Sequence, residues 1–308
     1  MLARRRTRRP GLSAGKFGGQ SQLADVIANQ EEQVAPPRTI VIGQQSGWAF
    51  VDLPELWRYR DMLLFVVWRD IKTRYSQSAI GIGWALVQPV FFMIAFTFVF
   101  GRLIGVKSDG SPYAVFSYIA LVPWTYFANS LIDATNSLNT NTAMLTKVYF
   151  PRVILPLSAV AARAMDFLIA FALVVVLMAW YRVEPTWWVA AAPVLLLILI
   201  ATSLGLGMWL TALSVQYRDV RYAIAFMTQL LMYGTPVVYP VSMIPERFHL
   251  IYAINPMVGV IEGFRAGFLG TGPMPWDMIG IGAATAAFFL LCGSVIFRRT
   301  ERFFADVA

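Results

Sequence analysis

The strongest constraint in this sequence is the length of its uncharged runs. Pro185 to Tyr217 carries no Asp, Glu, Lys or Arg for 33 residues, and the runs Tyr75 to Gly101, Tyr222 to Pro245, Gly110 to Ile132 and Met278 to Phe297 reach 27, 24, 23 and 20. A hydrocarbon core about 30 Å thick is crossed by roughly 20 apolar helical residues, so each run is long enough. A sixth segment, Val153 to Tyr181, is interrupted only by Arg163 and Asp166. Of the 308 residues 58% are hydrophobic and 14% charged, where soluble domains have about 45–50% and about 25%. A single soluble domain is thereby excluded. The expectation is an all-α membrane protein, a six-helix domain over residues 82–297 with spans near 82–104, 113–138, 154–181, 187–213, 222–240 and 276–297.

The net charge of +8 follows the expected topology. Six spans put both termini on one face, which then holds nineteen of the 25 Lys and Arg, against five on the other. Cytoplasmic loops retain basic residues, so both termini are expected in the cytoplasm. Nucleic acid is not needed to explain the basicity. Residues 1–50, with Arg4, Arg5, Arg6, Arg8 and Arg9, have too little apolar content to fold alone and read as a disordered basic tail. No apolar run follows the twin arginines, so a signal peptide is not indicated. A second basic tail covers 298–308.

Residues 53–70 are too charged to span. Leu53, Leu56, Trp57, Leu64, Val67, Trp68 and Ile71 recur at helical spacing against Arg58, Arg60, Asp61, Arg69 and Asp70, and Asp52, Pro54 and Glu55 form an approximate helix start. An amphipathic helix lying in the cytoplasmic headgroup plane is expected. Between spans five and six, Pro236, Pro240, Pro245 and Pro256 interrupt a stretch that stays apolar. Proline breaks a continuous helix, which leaves two readings: short re-entrant helices buried in protein, or an outer loop with one surface helix. The former is favoured.

No G-x-x-x-x-G-K-[ST], G-x-S-x-G or H-E-x-x-H occurs in the chain, so the residues offer no catalytic or nucleotide site. Cys292 and His249 stand alone, and no metal cluster is expected. Asp133, Asp166, Glu262 and Asp277 are scattered in sequence, giving no carboxylate pair. Arg163 and Asp166, three apart, share a helix face. A structural pair and a place on a conduit remain equal alternatives. Of the tryptophans and tyrosines near expected membrane boundaries, most fit an interfacial belt.

The run from Trp68 to Pro89, the run from Asn141 to Pro156, and the sequence from Thr235-Pro-Val-Val-Tyr-Pro240 through Ile244-Pro245 and Asn255-Pro256 to Arg265 together resemble the membrane subunits of ABC-2 type exporters, in particular the permeases for O-antigen, capsule or teichoic acid. The resemblance covers about residues 53–300. It implies a homodimer bound to two ABC ATPase subunits that carry ATP and Mg, with no cofactor in this chain, in the inner membrane of a bacterium. It also implies that 139–153 is a coupling loop, with Lys147, Tyr149, Phe150 and Arg152 meeting the ATPase. Residues 53–70, with Trp57, Arg69 and Asp70, become the interfacial helix beside it. Residues 241–271 become an outer gate, for which Pro236, Tyr239, Pro240, Pro245, Asn255, Pro256 and Arg265 are the candidates. Lipid-linked polysaccharide is the implied substrate, with Tyr118, Tyr126, Asn129, Asn136, Trp209 and Tyr233 as candidate path residues. The alternatives are an ABC-2 exporter of another lipid or a drug, and a membrane-embedded glycan enzyme. The enzyme would need convergent acids or bases and long outer loops.

Overall fold

The computed structural model describes residues 53–76 and 81–301, and those residues form an entirely helical bundle. The 1–50 tail, the Asp52 cap and the last seven residues lie outside the described residues. Two helices come first among the described residues, α1 (Leu53–Arg58) and α2 (Arg60–Tyr75), broken at Tyr59. The expected interfacial helix is thus two pieces, and the second runs five residues past its expected end. Then come α3 (Trp84–Phe96), continued by π-helical turns over Thr97–Ile104, α4 (Tyr113–Thr140), the short α5 (Thr142–Leu145) and α6 (Ile154–Tyr181). A 3-10 turn, Trp187–Ala191, leads into α7 (Ala192–Gln216). After it follow α8 (Asp219–Tyr233), α9 (His249–Tyr252), α10 (Pro256–Leu269) and α11 (Trp276–Glu301).

Five of these segments are long and apolar enough to cross a bilayer: Gly81–Ile104, Tyr113–Thr140, Ile154–Tyr181, Trp187–Gln216 and Trp276–Glu301. The expected fifth span, 222–240, is not a single long helix. Its helix α8 has 15 residues, about 22 Å at 1.5 Å per residue, short of a core about 30 Å thick. The chain turns at Gly234, Thr235 and Pro236, where proline ends the helical ladder.

Helix α4 is the centre of the bundle. The other four long segments are 11% to 39% buried over their apolar windows, whereas α4 is 78% buried. Its neighbours tie to it through hydroxyls: Tyr118 donates to the Ala170 carbonyl on α6 at 3.2 Å, Tyr126 to Val160 at 3.2 Å, and from α7 Thr211 and Ser214 donate to Ala134 and Thr135 at 2.8 and 2.9 Å. Where lipid replaces water, close backbone approach and such bonds hold helices together. The closest approach is between α7 and α11, where a Cβ on Gly293 would overlap the Gly205 carbonyl. The two helices lie parallel: Trp188 rests on Trp276 at one end, and Met208, Ala212 and Phe297 share an apolar cluster at the other.

Candidate functional site

At the end of the bundle where α4 finishes and α6 begins, α2 and the 141–153 segment are bolted to the spans. Val66 of α2, Leu138, Phe150, Ile154, Leu155, Met208, Ala212 and Phe297 form one buried cluster. Polar ties surround it. The Arg69 guanidinium donates to Asp70 and to Asn141 at 2.7 Å each, and Ser158 of α6 donates to Asp70 at 3.3 Å. Arg152 donates from its guanidinium to the Glu301 carbonyl at 2.9 Å and from its backbone N–H to the Glu301 carboxylate at 3.3 Å. Arg298 pairs with Glu55 at 3.5 Å. Helix α1, helix α2 and the loop are therefore one platform fixed to α6 and α11.

This geometry sorts the four expected coupling residues. Tyr149 is 70% exposed, and Lys147 and Val148 are exposed beside it. Phe150 is 4% exposed and packs with Val66, so it is an anchor of the loop and not a contact for another chain. Arg152 is likewise a tie to α11. Trp57 is 70% exposed, under the Arg60 guanidinium at 5.1 Å, while Arg69 and Asp70 hold the loop.

A second group stands where α2 meets α4 and α6. Arg163 donates from Nε to Asp133 at 2.7 Å and from Nη1 to Asp166 at 2.8 Å. Arg74 reaches the same carboxylates, Asp133 at 2.8 Å and Asp166 at 3.5 Å. Tyr75 donates its hydroxyl to Asp166. Burial, with that hydrogen bond, pushes the Tyr75 phenol up to about 12, so it remains a donor at neutral pH. The expected Arg163–Asp166 pair is present, but as half of an alternating square of two guanidiniums and two carboxylates. Asp133 and Asp166, scattered in sequence, are partners in space. No spacing links position 74 to 133 or 166, which is why sequence reasoning missed them.

At the opposite end, Arg265 is fully buried. It pairs with Glu262 at 2.8 Å, donates to the carbonyls of Val237 and Tyr239 at 2.9 and 3.3 Å, and lies 3.6 Å over the Phe116 ring. Tyr113 donates to Val238 at 2.7 Å, and the hydroxyls of Tyr239 and Tyr252 meet at 2.9 Å. Pro236 and Pro240 are buried within this clasp, and Pro245 is exposed. Asn255 caps α10 by accepting from the Met257 N–H at 3.1 Å, with Pro256 in the first turn, and its amide donates to Thr235 at 2.9 Å. Sequence reasoning named Arg265 but missed Glu262 as its partner.

The six expected path residues do not converge within the subunit. Tyr118 is wholly inside the packing, its hydroxyl engaged by α6, which corrects its placement on a path. Asn136 donates to Ile132 within its own helix at 2.9 Å, Trp209 lies against Phe289 of α11, and Tyr233 is exposed at the end of α8. Tyr126 and Asn129 line one cavity together.

Residues 62–269 match the ABC-2 type transporter family. The chain is similar to "O-antigen export system permease protein RfbA" of Myxococcus xanthus, 30% identical over 254 residues that cover 82% of this chain and 97% of that one. A protein of the same name from Klebsiella pneumoniae is 29% identical over 248 residues, 80% and 95% of the two chains. "Polysialic acid transport protein KpsM" of Escherichia coli is 22% identical over 199 residues, 63% and 76%. With a bundle of long apolar helices, no nucleotide motif of its own and a family match over two thirds of its length, the chain belongs to the ABC-2 type transporters, as a membrane subunit.

Proposed function

We propose that this chain is the permease of an ATP-driven exporter that moves a lipid-linked polysaccharide, of O-antigen or capsular type, across the bacterial inner membrane. Two copies would form the conduit and two ABC ATPase subunits would hold ATP and Mg. The observation that carries the reading is the platform: Lys147, Val148 and Tyr149 are presented outward on a loop whose neighbours Phe150 and Arg152 are locked to the helix ends. A soluble partner docked there would move α2, α6 and α11 together. The relatives named for O-antigen export and polysialic acid transport support the substrate class.

The parallel run of α7 and α11 supports six crossings. The chain leaves α7 at the platform end and enters α11 at the other, so residues 217–275 traverse the bundle, through α8 and then the proline segment. Helix α10 supports the re-entrant reading. Its first residue, Pro256, lies against Gly282, six residues into α11, while near its other end the Gly267 carbonyl accepts from the N–H of Thr186, just before α7, at 2.9 Å. The 241–271 segment would thus dip into the outer half and return, as an outer gate clasped by Arg265. Both termini then lie in the cytoplasm, in accord with the excess of Lys and Arg there.

The test is reconstitution with the cognate ATPase. Tyr149→Asp is expected to leave the chain folded and ATP hydrolysis running while export of the glycan falls at least about tenfold, the loss of roughly one docking contact of 1–2 kcal/mol. Normal export from that variant would remove the coupling role.

A further inference from the structure

Between α3, α4, α6 and the end of α2 lies a cavity of about 290 Å³ whose polar lining includes Gln88, Asn129, Arg163 and Asp166 beside Arg74, Tyr75 and Thr125, with Trp84 and Tyr126 among its walls. Arg163 is nine residues into α6 and Asn129 eleven residues from the end of α4, hence about 14 and 16 Å from the platform end. In helices of 28 residues, about 42 Å long, that is the depth of the inner leaflet's hydrocarbon.

Polar side chains at such depth face a bundle interior or an aqueous recess and mark functional sites by default. Here three of them are unspent, Asn129 and Arg163 half-buried and Gln88 exposed. Among the described residues no group bonds the side-chain amides of Gln88 or Asn129, and Arg163, having given Nε to Asp133 and Nη1 to Asp166, keeps the N–H groups of Nη2. Each amide offers both donors and an acceptor, the guanidinium only donors, and Asp166 only acceptors. The complementary ligand must donate and accept at several points of one small body.

Charge narrows the chemistry further. The square of Arg74, Arg163, Asp133 and Asp166 is already neutral. A phosphate or diphosphate entering beside two carboxylates would bring uncompensated negative charge into low dielectric, where repulsion is strongest. A hydroxyl-rich neutral ring meets no such penalty, and its C–H face packs on aromatic planes such as Trp84 and Tyr126. Size agrees, because about 290 Å³ falls just below the range of about 300–1,000 Å³ for drug-sized sites. One ring fits there better than an oligosaccharide.

We infer that this cavity is a binding site for a single neutral sugar unit, reached from the inner leaflet. The inference deepens the exporter reading and rests on it for the source of the sugar, the glycan of the lipid-linked substrate. The site would hold one ring beside the platform that the ATPase moves, and the Arg163 square would couple occupancy to α2 through Arg74.

The test is photolabelling of the full chain in phosphatidylcholine nanodiscs with two probes of one alkyl length, a diazirine alkyl β-glucoside and a diazirine alkyl phosphate. The glucoside is expected to label peptides spanning 81–90 and 121–130, and excess unlabelled alkyl glucoside to compete. Gln88→Leu combined with Asn129→Leu should cut that labelling about tenfold, the worth of one to two hydrogen bonds, while labelling of the exposed Phe91 side of α3 stays. Equal or stronger labelling of the same peptides by the phosphate would make the recess an anion site and overturn the inference. So would glucoside labelling no greater in the wild-type cavity than along the lipid-facing helices, which would mark a water-filled gap. The wild-type arm does not depend on how the variant folds. Neither probe needs the ATPase or export, so failure here leaves the exporter reading intact, and a failed export assay leaves the labelling result standing.

Discussion

Neighbouring residues in the coupling loop have opposite duties. Tyr149 is 70% exposed and Phe150 is 4% exposed, so one faces outward and the other the core. Phe150→Ala should destabilise the chain by about 3–5 kcal/mol, the usual cost of a buried aromatic, and lower the unfolding temperature of the purified protein. Tyr149→Asp should leave that temperature unchanged, since exposed substitutions usually stay within about 0.5 kcal/mol. Equal thermal shifts for the two would contradict this division. Arg163 carries a different risk. Its loss leaves Arg74 as the cation facing both Asp133 and Asp166, with the Tyr75 hydroxyl on Asp166, and breaking a pair costs up to about 3–5 kcal/mol when it is fully buried, less for this half-buried one. Arg163→Leu should therefore reduce membrane levels, and Arg163→Leu with Asp166→Asn should recover part of them. Normal levels of the single variant would show that the square is dispensable. The sequence makes Arg163 and Asp166 legible because both lie on one helix three residues apart. Arg74 and Asp133 were not, because contacts across 59 or 92 positions leave no periodic trace.

At the scale of elements, hydrophobic length set the five long helices correctly, since a bilayer imposes length directly on sequence. It failed for 222–240, where an uncharged run continues through Pro236 and Pro240 while the helix stops at Tyr233. Charge tells that a segment is apolar, and proline tells where its helix ends. The interfacial helix was legible as amphipathic, but its break at Tyr59 was not. The tightest packing, between α7 and α11, rests on Gly205 and Gly293. Gly293→Leu forces the backbones apart and should abolish accumulation of folded protein, whereas Gly280→Ala, with open space at its Cβ, should be tolerated. Comparison of the two in membranes by detergent-resistant size exclusion checks the point; a normal profile for Gly293→Leu would contradict the close approach. Arg265→Met should release the proline segment, because carbonyls of Val237 and Tyr239 lose their donor and Glu262 is stranded. Faster hydrogen exchange confined to residues 235–245 is the expected reading, and unchanged exchange there would deny the clasp.

At the scale of the whole molecule, three stations gather the charged groups described above on an apolar bundle: the platform, the Arg163 square with its cavity, and the Arg265 clasp. The first two are joined by α2, which carries Arg69 at the loop and Arg74 at the square. Force applied to the loop thus reaches the cavity through one helix of 16 residues. In the proposed function, a permease that relies on a separate ATPase would receive work at such a surface. The most direct measurement places a photocrosslinking amino acid at position 149, and separately at 150, in the complex purified from native membranes. The account predicts an abundant adduct between position 149 and the ATP-binding subunit, and little or none from position 150. An ATP-binding partner that copurifies but crosslinks to neither position, or more strongly to 150, would contradict the claim that the outward loop is where this transporter takes up the energy of ATP.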